Sequence, residues 1–116
     1  IPRADAIANI AAVTALTTVM LTGEVSWWPL ALRDRLHQPY RLALVPGAEA
    51  VFAAASAAGA WGTVISGAGP TLLASAPARS ASDVGKAMQA AWAAAGITAQ
   101  IHVFEHLAEG AGPFAE

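Results

Sequence analysis

Cysteine is absent from this chain of 116 residues. That excludes a disulfide framework and a thiolate-ligated zinc site, and it is compatible with a reducing compartment. Charge is scarce, at 12% of residues, and the formal net charge is −2. The few Lys and Arg residues form no basic patch, which argues against a nucleic-acid partner. What remains is apolar: 56% of the residues are hydrophobic. A chain of this length and composition can bury one real core as a single domain. Its many alanines favour helices packed closely together.

Two runs lack charge altogether. Ala6 to Gly23 is long enough to raise the question of a membrane span. It holds Asn9, four threonines and many alanines, which contribute little to insertion, so it reads as a buried core helix and no membrane partner is expected. Ala50 to Ala78 is interrupted by Gly59, Gly62, Gly67, Gly69 and Pro70 and cannot be one spanning helix. No signal peptide is recognisable. The chain opens on Ile1-Pro2-Arg3 without a methionine, which reads as a start in mid-protein.

Asp5 to Leu21 predicts a helix with Asn9, Val13, Leu16 and Met20 on its inner face, ended by Gly23. Pro29 to His37 predicts a second helix, with Leu32 and Leu36 on one face and Arg33 and His37 on another. Pro39 disfavours helical geometry at Gln38, so His37 to Arg41 is expected to be extended or turning. Pro46 to about Ala58 predicts a third helix with Val51, Phe52 and Ala55 as its stripe. Trp61 to Ile65 and Thr71 to Ser75 read as an antiparallel hairpin. Ser80 with Asp83 resembles a capping box for a fourth helix, whose face is Val84, Met88, Ala91 and Ala95 and whose stop is Gly96. Ile97, Ala99, Ile101 and Val103 alternate with polar and aromatic residues, the pattern of a half-buried strand. The tail after Glu105 reads as loose. The whole is an α+β chain. A ferredoxin-like two-layer sandwich would need one more strand ahead of the first helix, and none fits in Ile1 to Ala4. Either the sheet has three strands, or its first strand lies upstream.

Two stretches carry chemistry. Ser66-Gly67-Ala68-Gly69-Pro70-Thr71 joins the two hairpin strands. Its glycines reach positive φ and allow close approach, so the loop suits an anion or another loop that holds one. The bland alternative is a glycine-rich hairpin turn and nothing more. Upstream lies Asp34-Arg35-Leu36-His37-Gln38-Pro39-Tyr40-Arg41, polar, charged and aromatic in a chain that spends few charges.

These blocks, together with Asp5-Ala6-Ile7-Ala8-Asn9, Val45-Pro46-Gly47 and Gly59-Ala60-Trp61-Gly62-Thr63-Val64-Ile65, resemble the C-terminal half of the homoserine kinase family, one of the GHMP small-molecule kinases. Ser66, Gly67, Ala68, Gly69 and Thr71 look like the third GHMP motif, and the His37 to Arg41 block points to homoserine kinases in particular. The late Glu109-Gly110-Ala111 is similar to the end of that family. The resemblance covers about Ile1 to Ala111. It implies a ferredoxin-like C-terminal domain over residues 1–116 of a cytoplasmic enzyme. That enzyme phosphorylates the side-chain hydroxyl of L-homoserine, on the route to threonine. ATP and Mg2+ are the implied cofactors. The arginine matching Arg41 is expected to bind the substrate carboxylate, since a planar guanidinium pairs with a carboxylate bidentately.

The family's Pro-x-x-x-Gly-Leu-Gly-Ser-Ser-Ala-like phosphate loop is absent, as is an N-terminal substrate segment. The chain therefore reads as a fragment whose partner is a missing N-terminal kinase domain, and as inactive alone. Its apolar composition makes self-association, such as a homodimer, an expectation. Each site residue has a bland reading beside the functional one. Arg41 is otherwise a surface arginine or an ion pair with Asp34. His37 is otherwise structural, capping the helix end or bonding a backbone carbonyl. Asn9 is either a satisfied amide on an apolar stripe or a group at the site edge. His102 and His106 lack metal-ligand spacing and read as exposed. Trp27 and Trp28 read as packing residues, or as a surface left exposed where the N-terminal half is missing. No catalytic residue is assigned, and no Ser/His/Asp order suggests hydrolysis. The competing functions are a GHMP kinase for another small alcohol and a non-catalytic amino-acid-binding regulatory module.

Overall fold

The computed structural model describes residues 1–105. It opens with α1 (Arg3–Thr22), stopped by Gly23 at φ 70°, whose N–H donates to the Val19 carbonyl. The inner face of α1 differs from the one expected. Ala12, Ala15 and Val19 are buried and Leu16 is half-buried, whereas Val13 and Met20 are exposed. The reason is size. Alanines leave room for a large ring, and Trp28 packs there with Ala31 behind it. Trp28 in turn stacks on Trp61, with ring centroids 5.8 Å apart. α1 is thus not a buried core helix. It has the length and apolarity to cross a membrane. In this fold it buries one narrow face and exposes Ile7, Ile10, Val13 and Leu21. Thr14, Thr17, Thr18 and Thr22 turn their hydroxyls back onto carbonyls one turn earlier, which removes polarity from the exposed side.

A single 3-10 turn (Val25–Trp27) leads into α2 (Trp28–Ala31), one turn rather than the expected helix to His37. The faces predicted for Leu32, Leu36, Arg33 and His37 therefore do not exist. Nor is His37 to Arg41 extended: α3 (Gln38–Leu42) starts there with Pro39 in its first turn. One side chain explains both departures. The Asp34 carboxylate accepts the backbone N–H groups of Leu36, His37 and Gln38, which turns the chain after α2 and supplies acceptors to the start of α3. In the first turn a proline loses no hydrogen bond, so Pro39 is tolerated.

Next come α4 (Ala48–Ala57), β1 (Gly62–Ile65), β2 (Leu72–Ser75) and, after a 3-10 turn, α5 (Ala81–Ala94). The strands pair antiparallel, as the sequence predicts; the register sets Gly62 opposite Ser75 and Ile65 opposite Leu72. Val45, Ala48, Val51, Ile65 and Trp92 form the second core between hairpin and helices, with Phe52, Leu72, Met88 and Ala91 against it. The expected stripe of α4 is in place, while on α5 Gly85 and Trp92 are buried and Ala95 is exposed. The Ser80–Asp83 capping box does not form. Ser80 Oγ donates to the Pro77 carbonyl, and Asp83 pairs with Lys86.

The third strand expected at Ile97 to Phe104 is not formed, and the sheet among the described residues has two strands. Residues 97–105 lie beside α5 without a ladder partner there. Ile101 comes so close to Gly85 that a Cβ on that glycine would sit 2.8 Å from Ile101 Cγ2. The architecture is α+β, with α4 and α5 layered on the small antiparallel sheet. The readings of the tail, His106 and Glu109-Gly110-Ala111 lie outside the described residues.

Candidate functional site

The start of α3 lies against the 66–71 loop. His37 Nε2 is 3.2 Å from the Gly67 carbonyl oxygen and donates to it when that nitrogen carries the proton. Arg41 donates both its Nε–H and an Nη2–H to the Ala68 carbonyl, at 3.1 and 2.6 Å. Between them in sequence, Gln38 Oε1 accepts the Ile65 N–H at 2.9 Å. Three side chains within five positions thus grip backbone groups of Ile65, Gly67 and Ala68, at the end of β1 and along the loop.

The loop makes its own neck. Ser66 N–H donates to the Thr71 carbonyl at 2.8 Å, and Gly69 N–H to the Ser66 carbonyl at 3.1 Å. Gly67 and Gly69 have φ of 57° and 80°. At Gly69 a Cβ would also meet Ile65 Cγ2 at 3.1 Å, so both conformation and space call for glycine there.

Asp34 anchors the gripping helix. It accepts Asn9 Nδ2–H at 2.8 Å and Gln38 N–H at 2.6 Å, besides the N–H groups of Leu36 and His37. Burial by itself pushes this carboxyl up. The amide of Asn9 and the backbone donors of Gln38, Leu36 and His37 outweigh burial and hold it at about 2, below the ordinary 3.8. Asn9 completes the join to α1, since its Oδ1 accepts Arg35 N–H at 2.8 Å. Arg35 also pairs with Asp5 at 3.3 Å.

His37, Arg41, Gly67 and Ala68 are therefore brought together, with Ser66 and Thr71 at the loop neck. Asn9 reaches the cluster only through Asp34 and Arg35, with both ends of its amide engaged. Arg41 is not paired with Asp34; its partner is the loop.

Residues 20–94 match the family model described as GHMP kinases C terminal. The chain belongs to this family. Among curated relatives, the homoserine kinase of Microchaete diplosiphon is 57% identical over 85% of this chain and 32% of its own length. That of Nostoc punctiforme is 49% identical over 98% of this chain and 38% of its own. A crystal structure of homoserine kinase from Cytophaga hutchinsonii superposes with a TM-score of 0.76 at 34% identity, covering 81% of this chain and 30% of that one. The chain spans about a third of the length of these curated relatives.

In this GHMP C-terminal domain a concavity among the described residues reaches Pro70 and Thr71 at the neck of the loop. It is a groove of about 1100 Å³ between β2 and residues 97–105, with Val84, Met88 and Trp92 among its lining. Among the described residues no three His, Asp or Glu side chains converge as a metal site. The 66–71 loop leads into a strand, not into a helix N-terminus of the kind that cradles phosphates. Sequence reasoning missed Asp34 as the anchor and Gln38 as a loop contact. The available signal was an aspartate shortly before Gln38-Pro39, which is how a capped helix start reads.

Proposed function

We propose that this chain is the substrate-side C-terminal domain of a homoserine kinase. The whole enzyme transfers the γ-phosphate of ATP to the hydroxyl of L-homoserine, giving O-phospho-L-homoserine for threonine biosynthesis in the cytoplasm. ATP and Mg2+ belong to the part of the protein outside this chain. The observation that carries the reading is the closure of the 34–41 block on the glycine loop, in a chain whose relatives named homoserine kinase reach 57% identity.

Arg41 reads the substrate carboxylate. Its Nε edge is spent on the Ala68 carbonyl, but Nη1 has no partner among the described residues. Nη1 and the second Nη2–H form an end-on fork that remains for a carboxylate. His37 holds the Gly67 carbonyl, and residues 66–71 shape the floor of the substrate site. Asn9 serves this site by holding Asp34.

The remainder of the enzyme, its N-terminal kinase domain, covers the groove. Among the described residues β2 pairs on one edge only, and residues 97–105 have no ladder partner. Leu73 and Phe104 are 53% and 81% exposed beside it. Two segments without a ladder partner on facing sides of an apolar floor leave room for one further strand, and relatives three times as long have the chain to supply it.

The test is turnover by the complete protein. Formation of phosphohomoserine from ATP and homoserine supports the reading. Phosphorylation of a different small alcohol with homoserine ignored overturns it in favour of another GHMP kinase. Amino-acid binding without phosphoryl transfer overturns it in favour of a regulatory module.

A further inference from the structure

Ile65 N–H cannot bond to β2. In an antiparallel ladder alternate residues turn their N–H away from the partner strand, and Ser66 N–H is the one that reaches Thr71. Ile65 is buried, so this outward donor needs an acceptor other than water. Gln38 Oε1 supplies it at 2.9 Å. With a backbone donor as partner, the amide orientation is settled: the oxygen faces Ile65.

The three grips of α3 on the loop are unequal. The His37 and Arg41 contacts to the Gly67 and Ala68 carbonyls are solvent-exposed, so water competes for them. The Gln38 contact is part-buried. Losing it leaves a buried donor unpaired, which costs more than an exposed exchange with water. Gln38 is itself fixed, because its own N–H donates to Asp34 at 2.6 Å. The rigid path therefore runs from Asn9 through Asp34 and Gln38 to the β1–loop junction.

We propose that Gln38 is a positioning residue for substrate recognition. By fixing where the loop leaves β1, it sets the Ala68 carbonyl that holds the Arg41 guanidinium ready for a carboxylate. This rests on the reading of Arg41 given above. An Arg41 without its carbonyl anchor must be ordered at the moment of binding, and preorganisation is lost. The loss falls on homoserine and not on ATP.

The test uses the complete protein with Gln38→Leu, which removes the acceptor, and Gln38→Glu, which keeps one. Gln38→Leu should raise the homoserine KM about tenfold with the ATP KM changed less than about twofold; tenfold is about 1.4 kcal/mol. Gln38→Glu should return the homoserine KM to within about threefold of wild type, and amide exchange at Ile65 should be fast only in Gln38→Leu. An unchanged homoserine KM in Gln38→Leu, an equal rise for both substrates, or a Gln38→Glu protein as impaired as Gln38→Leu overturns the inference. If Gln38→Leu does not fold, Gln38→Glu decides alone: a tenfold KM rise there overturns the proposal. A wild type that ignores homoserine overturns the functional reading instead, while slow Ile65 exchange in folded Gln38→Leu overturns the anchor.

Discussion

Replacing Asp34 with asparagine keeps the size of the side chain and removes one acceptor and the charge. Both carboxylate oxygens are in use. Oδ1 takes Asn9 Nδ2–H, Leu36 N–H and His37 N–H; Oδ2 takes His37 N–H and Gln38 N–H. An asparagine must therefore aim its NH2 at another donor, whichever way it is turned. The size of the loss follows from the carboxyl being held at about 2 instead of 3.8. At about 1.36 kcal/mol per unit that is roughly 2.4 kcal/mol as an upper bound. The group is only half-buried, so screening leaves about 1–2 kcal/mol, which agrees with about 0.5–2 kcal/mol for loss of a helix cap. The sign is that of a depressed carboxyl: the stabilisation is complete above about 3.8 and is lost as pH falls through about 2. Denaturant melts of wild type and Asp34→Asn at pH 7 should differ by about 1–2 kcal/mol, and the gap should close between about pH 4 and pH 2. Equal stability at pH 7, or a gap that persists at pH 2, refutes the reasoning.

Two further outcomes are expected. The 116-residue chain purified alone should neither bind ATP tightly nor form phosphohomoserine, because on the proposed reading the phosphate-cradling helix start belongs to the part of the enzyme outside this chain; product formation with contaminating kinase excluded contradicts this. The same isolated chain should self-associate, as a homodimer or larger, through the exposed Ile7, Ile10, Val13, Leu21, Leu73 and Phe104; a monodisperse monomer by light scattering at tens of micromolar contradicts that.

The parts of this fold that were legible in the sequence are those decided locally. Gly23, Gly59 and Gly96 all adopt positive φ near the helix ends where the sequence places stops. The hairpin and its glycine loop were readable because strand pattern and turn residues sit side by side. Tertiary partners decided the rest. Bulky Val13 and Met20 suggested the inner face of α1, but Trp28 needed the alanines. The break between α2 and α3 hung on the single carboxylate of Asp34, whose acceptor role is invisible in a pattern of apolar spacings. Residues 97–105 carry strand periodicity, but a strand needs a neighbour, and the described chain offers none. At the site, the residue types were readable and their bonding was not. Arg41 faces a carbonyl 27 positions away, and Asn9 meets Asp34 across 25.

The central claim is that Arg41, held by the glycine loop, reads the carboxylate of homoserine. Its most direct test is Arg41→Lys in the complete enzyme, measured with homoserine and with the amino alcohol that is homoserine without its carboxylate. Lysine keeps the charge and loses the fork. The account predicts a loss of about 1.5–3 kcal/mol in homoserine recognition, a tenfold to hundredfold rise in its constant, with ATP unaffected. It also predicts little difference between wild type and variant on the analogue. Normal homoserine kinetics in Arg41→Lys, or a defect confined to ATP, would contradict it.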